Sequence, residues 1–120
     1  MRTRNTTQKF LLQALAVFAS ACGQSAPQVC PADSQSGCPV GVLTYDTGIG
    51  DLLGAHCMPC HSEAGIERSR LLTDYAHVSG LRMSIGTQLV TCAMPPAGET
   101  PLSTEERQQI LDWLSCGGPR

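Results

Sequence analysis

Cys57, Cys60 and His61 stand in one pentapeptide, Cys57-Met58-Pro59-Cys60-His61. Two thiols three positions apart can each bond one vinyl group on the same edge of a porphyrin. The following histidine then offers an imidazole to the iron as proximal ligand. The pattern therefore points to one covalently attached haem c. Two other uses of the residues compete. A structural zinc site needs a second ligand pair at similar spacing, and the chain has no second C-x-x-C and no H-x-x-x-H. A thioredoxin-like dithiol needs a βαβ setting, which the surrounding pattern lacks.

A proximal histidine leaves the other face of the iron to be ligated or open, and that choice separates electron transfer from catalysis. His56 and Met58 belong to the attaching segment itself and are poor candidates for the far face. His77, Met83 and Met94 remain. Met94 is favoured because Pro95 and Pro96 follow it and fix an extended backbone. Met83 falls within a helical pattern, as packed methionines do, and His77 reads as a surface residue or a propionate contact.

The elements that must position these groups read as helices. Ile49, Leu52 and Leu53 lie at i, i+3, i+4 and run into the cysteine pair. Gly48, Gly50 and Gly54 weaken that helix by nearly ~1 kcal/mol each against alanine, so it needs tertiary support. Thr73-Asp74 can start a short helix through Tyr75 and Val78. Leu81, Ile85, Leu89 and Val90 suggest another, ended by Met94-Pro95-Pro96. The last helix is the clearest. Ser103 and Glu106 have capping-box spacing, Ile110, Leu111, Trp113 and Leu114 form an apolar stripe, and Gly117-Gly118-Pro119 ends it. Trp113 is expected in the core against the first helix. No strand-like alternation is present, so the class expected is all-α.

The amino-terminal part reads as an export signal. Arg2, Arg4 and Lys9 precede a largely apolar run of 12 residues, Phe10 to Ala21, too short to span a bilayer. It stops at Ala19-Ser20-Ala21-Cys22-Gly23, which resembles a bacterial lipoprotein cleavage site with Cys22 as the lipidated first residue. Ordinary cleavage near Ala21, leaving Cys22 as a thiol, is the alternative. Residues 1–21 are thus expected as signal peptide and 22–41, rich in Ser, Gln, Pro and Gly, as a tether holding residues 42–120 off a membrane. The expected location is the periplasm or cell envelope. Loss of residues 1–21 removes three of eight cations and no acid. Five arginines, no lysine and ten acids stay behind, and the net charge falls from −2 to −5. Nucleic acid is a poor partner for such a chain.

Of seven cysteines, this leaves Cys30, Cys38, Cys92 and Cys116, an even number in an oxidising compartment. The local pairing, Cys30 with Cys38 and Cys92 with Cys116, is expected. On the chain-entropy model those loops contribute about 2.5 and about 3.5 kcal/mol. Core material is scarce: Phe10 and Phe18 lie in the signal segment, leaving Tyr45, Tyr75 and Trp113. A buried porphyrin would supply the missing apolar bulk.

Together, the C-x-x-C-H segment, the later Met94-Pro95-Pro96, and the closing run from Leu102-Ser103-Thr104-Glu105-Glu106-Arg107 to Trp113-Leu114-Ser115-Cys116-Gly117 resemble a small class I cytochrome c domain. The resemblance covers roughly Thr44 to Pro119. It implies a first helix crossing the last, a haem in a helical cage, His61 as proximal ligand and Met94 as distal ligand. The glycine-rich first helix and the cysteines at 92 and 116 depart from the family pattern. The function implied is a one-electron carrier passing electrons between redox protein partners, rather than a catalyst. A haem domain with an open or displaceable sixth position, peroxidase-like or ligand-sensing, is the first alternative. A haem-free C-x-x-C redox module is the second.

Membrane attachment is expected to depend on Cys22. Cys22→Ala should abolish metabolic lipid labelling of the expressed protein, and labelling that persists in the variant would refute the lipoprotein assignment.

Overall fold

The computed structural model describes residues 37–120. The signal segment, Cys22, Cys30 and most of the expected tether lie outside the described residues. A single 3₁₀ turn, Tyr45–Thr47, leads into four helices: α1 (Ile49–His56), α2 (Tyr75–Gly80), α3 (Arg82–Val90) and α4 (Thr104–Ser115). Among the described residues there is no strand, as the sequence pattern indicates.

Local chemistry sets each start and stop. Gly48, at φ +154, turns the chain into α1, with the Leu43 side chain 3.1 Å from where a Cβ would stand. Asp74 caps α2 by accepting from the His77 N–H at 2.9 Å. Leu81 alone separates α2 from α3. Ser103 caps α4 in a reciprocal box: the Glu106 N–H donates to Ser103 Oγ at 3.1 Å, and the Ser103 N–H donates to the Glu106 carboxylate at 2.8 Å. At the far end the Gly118 N–H reaches the Trp113 carbonyl and the Gly117 N–H reaches that of Leu114. This is a Schellman stop, with Gly117 at φ +80 supplying the left-handed residue.

The core gathers Ile49 and Leu53 of α1, Val78 of α2, Leu89 of α3, and Ile110, Leu111 and Trp113 of α4, with Leu72 and Leu102 from the loops. Ile49, Val78, Ile110 and Trp113 are fully buried. The three aromatics meet at one end. The Tyr45 ring lies 5.4 Å from that of Tyr75 and 6.5 Å from that of Trp113. Gly50 faces this packing: a Cβ there would stand 3.3 Å from the Tyr45 ring. One on Gly54 would instead meet the Met58 sulfur at 3.8 Å.

The disulfide pattern differs from the expectation. Cys38 pairs with Cys116 across 78 residues, so neither Cys30–Cys38 nor Cys92–Cys116 forms. Cys92 is itself disulfide-bonded. The local pairing rested on cheap loop closure, but pairing is decided by which Cα atoms the fold brings together. Residues 37 and 38 run beside the end of α4, where Ser115 Oγ donates to the Gly37 carbonyl at 3.0 Å and the Cys38 and Cys116 Cα atoms are 4.6 Å apart. The last residues of the expected tether are therefore fixed to the helical unit.

Non-reducing digestion should recover a Cys38 peptide joined to a Cys116 peptide. Replacing both by serine should lower stability to urea by up to about 4.5 kcal/mol, the chain-entropy value for so long a loop. A Cys92–Cys116 peptide would contradict this structure.

Candidate functional site

The carboxyl end of α1 does not stop cleanly. The Cys57 and Met58 N–H groups both reach the Leu53 carbonyl, at 2.8 and 3.1 Å, and those of Cys60 and His61 reach the Cys57 carbonyl, at 3.1 and 2.8 Å. The helical winding thus continues as tight turns through residues 57–61. Both thiols and the imidazole are carried on one turn of backbone rigidly joined to α1. The segment that follows folds back on it. The Glu67 N–H bonds the Cys60 carbonyl and the Leu72 N–H bonds the His61 carbonyl, each at 2.9 Å.

These residues border a cavity of about 440 Å³, within the range of small-molecule and cofactor sites. Leu53, Leu72, Ile85, Leu89, Leu102 and Ile110 give it apolar walls, while Glu67, Arg70, Gln88, Glu99 and Thr100 add polar groups. Cys57, Cys60, His61 and Met94 all line it, the first three from the α1 turn and Met94 from the loop between α3 and α4. Four residues singled out by type and spacing therefore meet in one hollow.

His61 is held in a defined tautomer. Its Nδ1 lies 2.9 Å from the Arg70 carbonyl, which can only accept, so Nδ1 carries the proton. The Nε2 lone pair is left for a metal, the arrangement that orients histidine ligands in metal sites. His56 also lines the cavity, but its ring is engaged elsewhere, with Nδ1 3.4 Å from the Thr100 carbonyl and Nε2 3.4 Å from the Glu106 carboxylate. It bridges the end of α1 to the start of α4. Hydrogen bonding to Ser103 above all, and secondarily to His56, holds the Glu106 carboxyl below its usual range.

Cys57 and Cys60 are not joined to each other. Burial, with the neighbouring Cys60 adding to it, pushes the Cys57 thiol up to about 11. A redox-active dithiol requires the opposite shift, toward thiolate at neutral pH. Among the described residues no three Cys, His, Asp or Glu side chains converge as a metal cage would require.

The remaining candidates for the far ligand stand away from the cavity. Met83 is 88% exposed, and the His77 Nδ1 is paired with the Asp74 carboxylate at 2.8 Å. Neither lines the hollow. Met94 is held by its backbone: its N–H lies 3.3 Å from the Gln88 carbonyl, and its own carbonyl receives an Arg107 guanidinium N–H at 3.4 Å. The Met94–Pro95 bond is cis. Cys92, just before, adopts φ +54, a conformation uncommon outside glycine, and turns the chain sharply out of α3.

The residue types gave no sign of Arg107, which is 3% exposed among apolar neighbours. One signal was present: Arg107 precedes Ile110, Leu111 and Leu114 by three, four and seven positions, on the face of the apolar stripe. Comparison of the chain with protein-family models, with curated proteins and with solved structures finds no match.

Gly65 is the most exacting backbone position at the site. A Cβ there would overlap the Cys60 carbonyl, a rigid backbone group that also bonds Glu67. Gly65→Ala should cost about 1–3 kcal/mol by forcing that turn apart. Thermal unfolding followed by circular dichroism checks it, with Gly80→Ala, where φ is ordinary and a Cβ meets open space, as the comparison.

Proposed function

We propose that the protein is an exported one-electron carrier that holds a single haem c through thioether bonds to Cys57 and Cys60, with His61 and Met94 as axial ligands. The observation that carries the reading is the convergence of these four side chains on one apolar cavity, with His61 Nε2 left free to coordinate. The donor set fits the group. Two unoxidised thiols on one turn of backbone suit two vinyl carbons, and an imidazole and a thioether reach the hollow from separate segments.

Bound there, the haem would supply an iron that exchanges one electron. The protein's own residues do the rest. The Arg70 carbonyl fixes the His61 proton on Nδ1 and orients the ring so that Nε2 can coordinate. Met94 offers a soft sulfur, which favours the reduced metal relative to a second imidazole. Leu53, Ile85, Leu89 and Ile110 keep the interior apolar, so little solvent must reorient when the charge changes. Met94 as sixth ligand would also separate a carrier from a peroxidase-like or sensing domain, which needs that position open. A dithiol module is opposed by the raised Cys57 thiol.

Attachment to a membrane through lipid at Cys22, and exchange of electrons with redox proteins, belong to the same proposal. Beyond residue 21 the chain has five arginines, ten acids and no lysine, which rules out a lysine-based docking face.

Expression with haem-maturation machinery should give a protein that keeps haem through denaturing electrophoresis, and Cys57→Ser with Cys60→Ser should abolish that retention. The oxidised form should show the weak far-red band of sulfur-ligated iron. Met94→Ala should lose the band, and Met94→His should lower the potential by on the order of a hundred millivolts, within the roughly 0.8 V that axial ligands command. A folded, haem-free wild type from the same cells would refute the proposal.

A further inference from the structure

We infer that Arg107 is the positioning residue for the distal ligand, its guanidinium clamping the Met94 segment to α4 through the Leu89 and Met94 carbonyls. This rests on the reading of Met94 as a ligand and goes beyond it by naming what holds the methionine in place.

The Arg107 side chain is an expensive group in an unusual place. A buried cation normally has a carboxylate beside it, because uncompensated charge in an apolar interior is strongly unfavourable. None of the ion pairs among the described residues includes Arg107. Its hydrogen bonds go instead to main-chain carbonyls, Leu89 at 2.9 Å and Met94 at 3.4 Å. Burial lowers its pKa from the usual arginine range, but arginine stays charged at neutral pH.

The two acceptors explain the choice of residue. Leu89 lies in the last turn of α3, where carbonyls lack a partner four residues on and carry the negative end of the helix dipole. Its carbonyl accepts the Cys92 N–H at 3.3 Å and has a second lone pair for the guanidinium. Met94 lies five residues on, past the left-handed Cys92. One guanidinium nitrogen therefore joins the last turn of α3 to the residue that presents the thioether. The planar fork of arginine can hold such a pair of carbonyls in fixed geometry, and the ammonium of lysine cannot do so equally. On the α3 side, the Ala93 and Met94 N–H groups share the Gln88 carbonyl at 3.0 and 3.3 Å, and the disulfide-bonded Cys92 donates its N–H to the Leu89 carbonyl at 3.3 Å. Without the clamp, the segment between Cys92 and Pro95 loses its direct tie to α4 through Met94.

A loop that leaves the iron more often exposes a coordination position in proportion to the time spent open, and an added ligand then binds with an affinity scaled by that fraction. Imidazole titrated into the oxidised holoprotein reads this directly. Arg107→Gln should raise the apparent imidazole affinity by about tenfold or more, the factor that loss of a charge-assisted hydrogen bond commonly produces. Arg107→Lys should fall between Gln and wild type. Leu111→Ala serves as the control: Leu111 is buried in α4 but does not line the cavity. It should lower the unfolding temperature while leaving imidazole affinity within about twofold of wild type.

Folded Arg107 variants that bind imidazole as the wild type does would overturn the inference, and so would a shift of equal size in Leu111→Ala. If Arg107→Gln fails to fold, Arg107→Lys decides by the same titration. Collapse of both variants would assign Arg107 to general stability and overturn its positioning role. The ligand reading fails separately, when the wild-type far-red band is absent or survives Met94→Ala.

Discussion

The described fold depends on how the carboxyl-terminal residues close over Trp113. The Pro119 carbonyl accepts from the Trp113 indole at 2.7 Å and from the Tyr45 N–H at 3.0 Å. The end of the chain is thereby bonded both to the core of α4 and to the turn that starts α1. Gly118, at φ +69, lies against the indole, with the ring 3.1 Å from where its Cβ would be, and the Tyr75 hydroxyl donates to its carbonyl at 3.0 Å. A side chain at that position would meet both the ring and the Arg82 side chain. The buried indole thus has its one polar atom satisfied, as a large aromatic in a dry interior requires.

That closure divides α4 between two tasks. Its carboxyl-terminal half, with Trp113 and the disulfide at Cys116, seals the aromatic end of the molecule. Nearer its amino terminus the helix faces the loop through Arg107, and at its middle it faces the cavity through Ile110. The contact of His56 with Glu106 then ties the start of α4 to the turn that bears Cys57, Cys60 and His61. The two segments that bring candidate ligands to the hollow are thus both referred to one helix.

Much of this was legible because the signals are local. Ser103 and Glu106 are three apart, Asp74 stands next to the helix it caps, and Ile49 with Leu53 repeat at helical spacing. Each meets a partner within one turn, so the sequence displays both members of the interaction. The candidate site was legible in a narrower sense: residue type named Cys57, Cys60, His61 and Met94, but not the cavity they share. What escaped involves backbone acceptors or long-range paths. The Arg70 carbonyl that fixes the His61 tautomer has no side-chain signature, and neither do the carbonyls that Arg107 holds. The Cys38–Cys116 pair required knowing that residues 37–38 run beside the end of α4. Loop length alone argues for local pairing, and the tertiary path overrules it.

The distribution of apolar bulk bears on why a covalently held group would suit this chain. Tyr45, Tyr75 and Trp113 are gathered at the sealed end, and the cavity end is walled by Leu and Ile side chains around a hollow of about 440 Å³. Each apolar surface left facing that hollow forgoes about 25 cal/mol per Å² of burial, and its atoms lack contacts on one side. A reversible ligand would recover this only in proportion to the logarithm of its free concentration. A group bonded to Cys57 and Cys60 cannot leave, so its contribution to folding is independent of concentration. For a helical unit this small, with its aromatic residues committed elsewhere, the proposed haem would be as much the missing part of the core as the site of the chemistry.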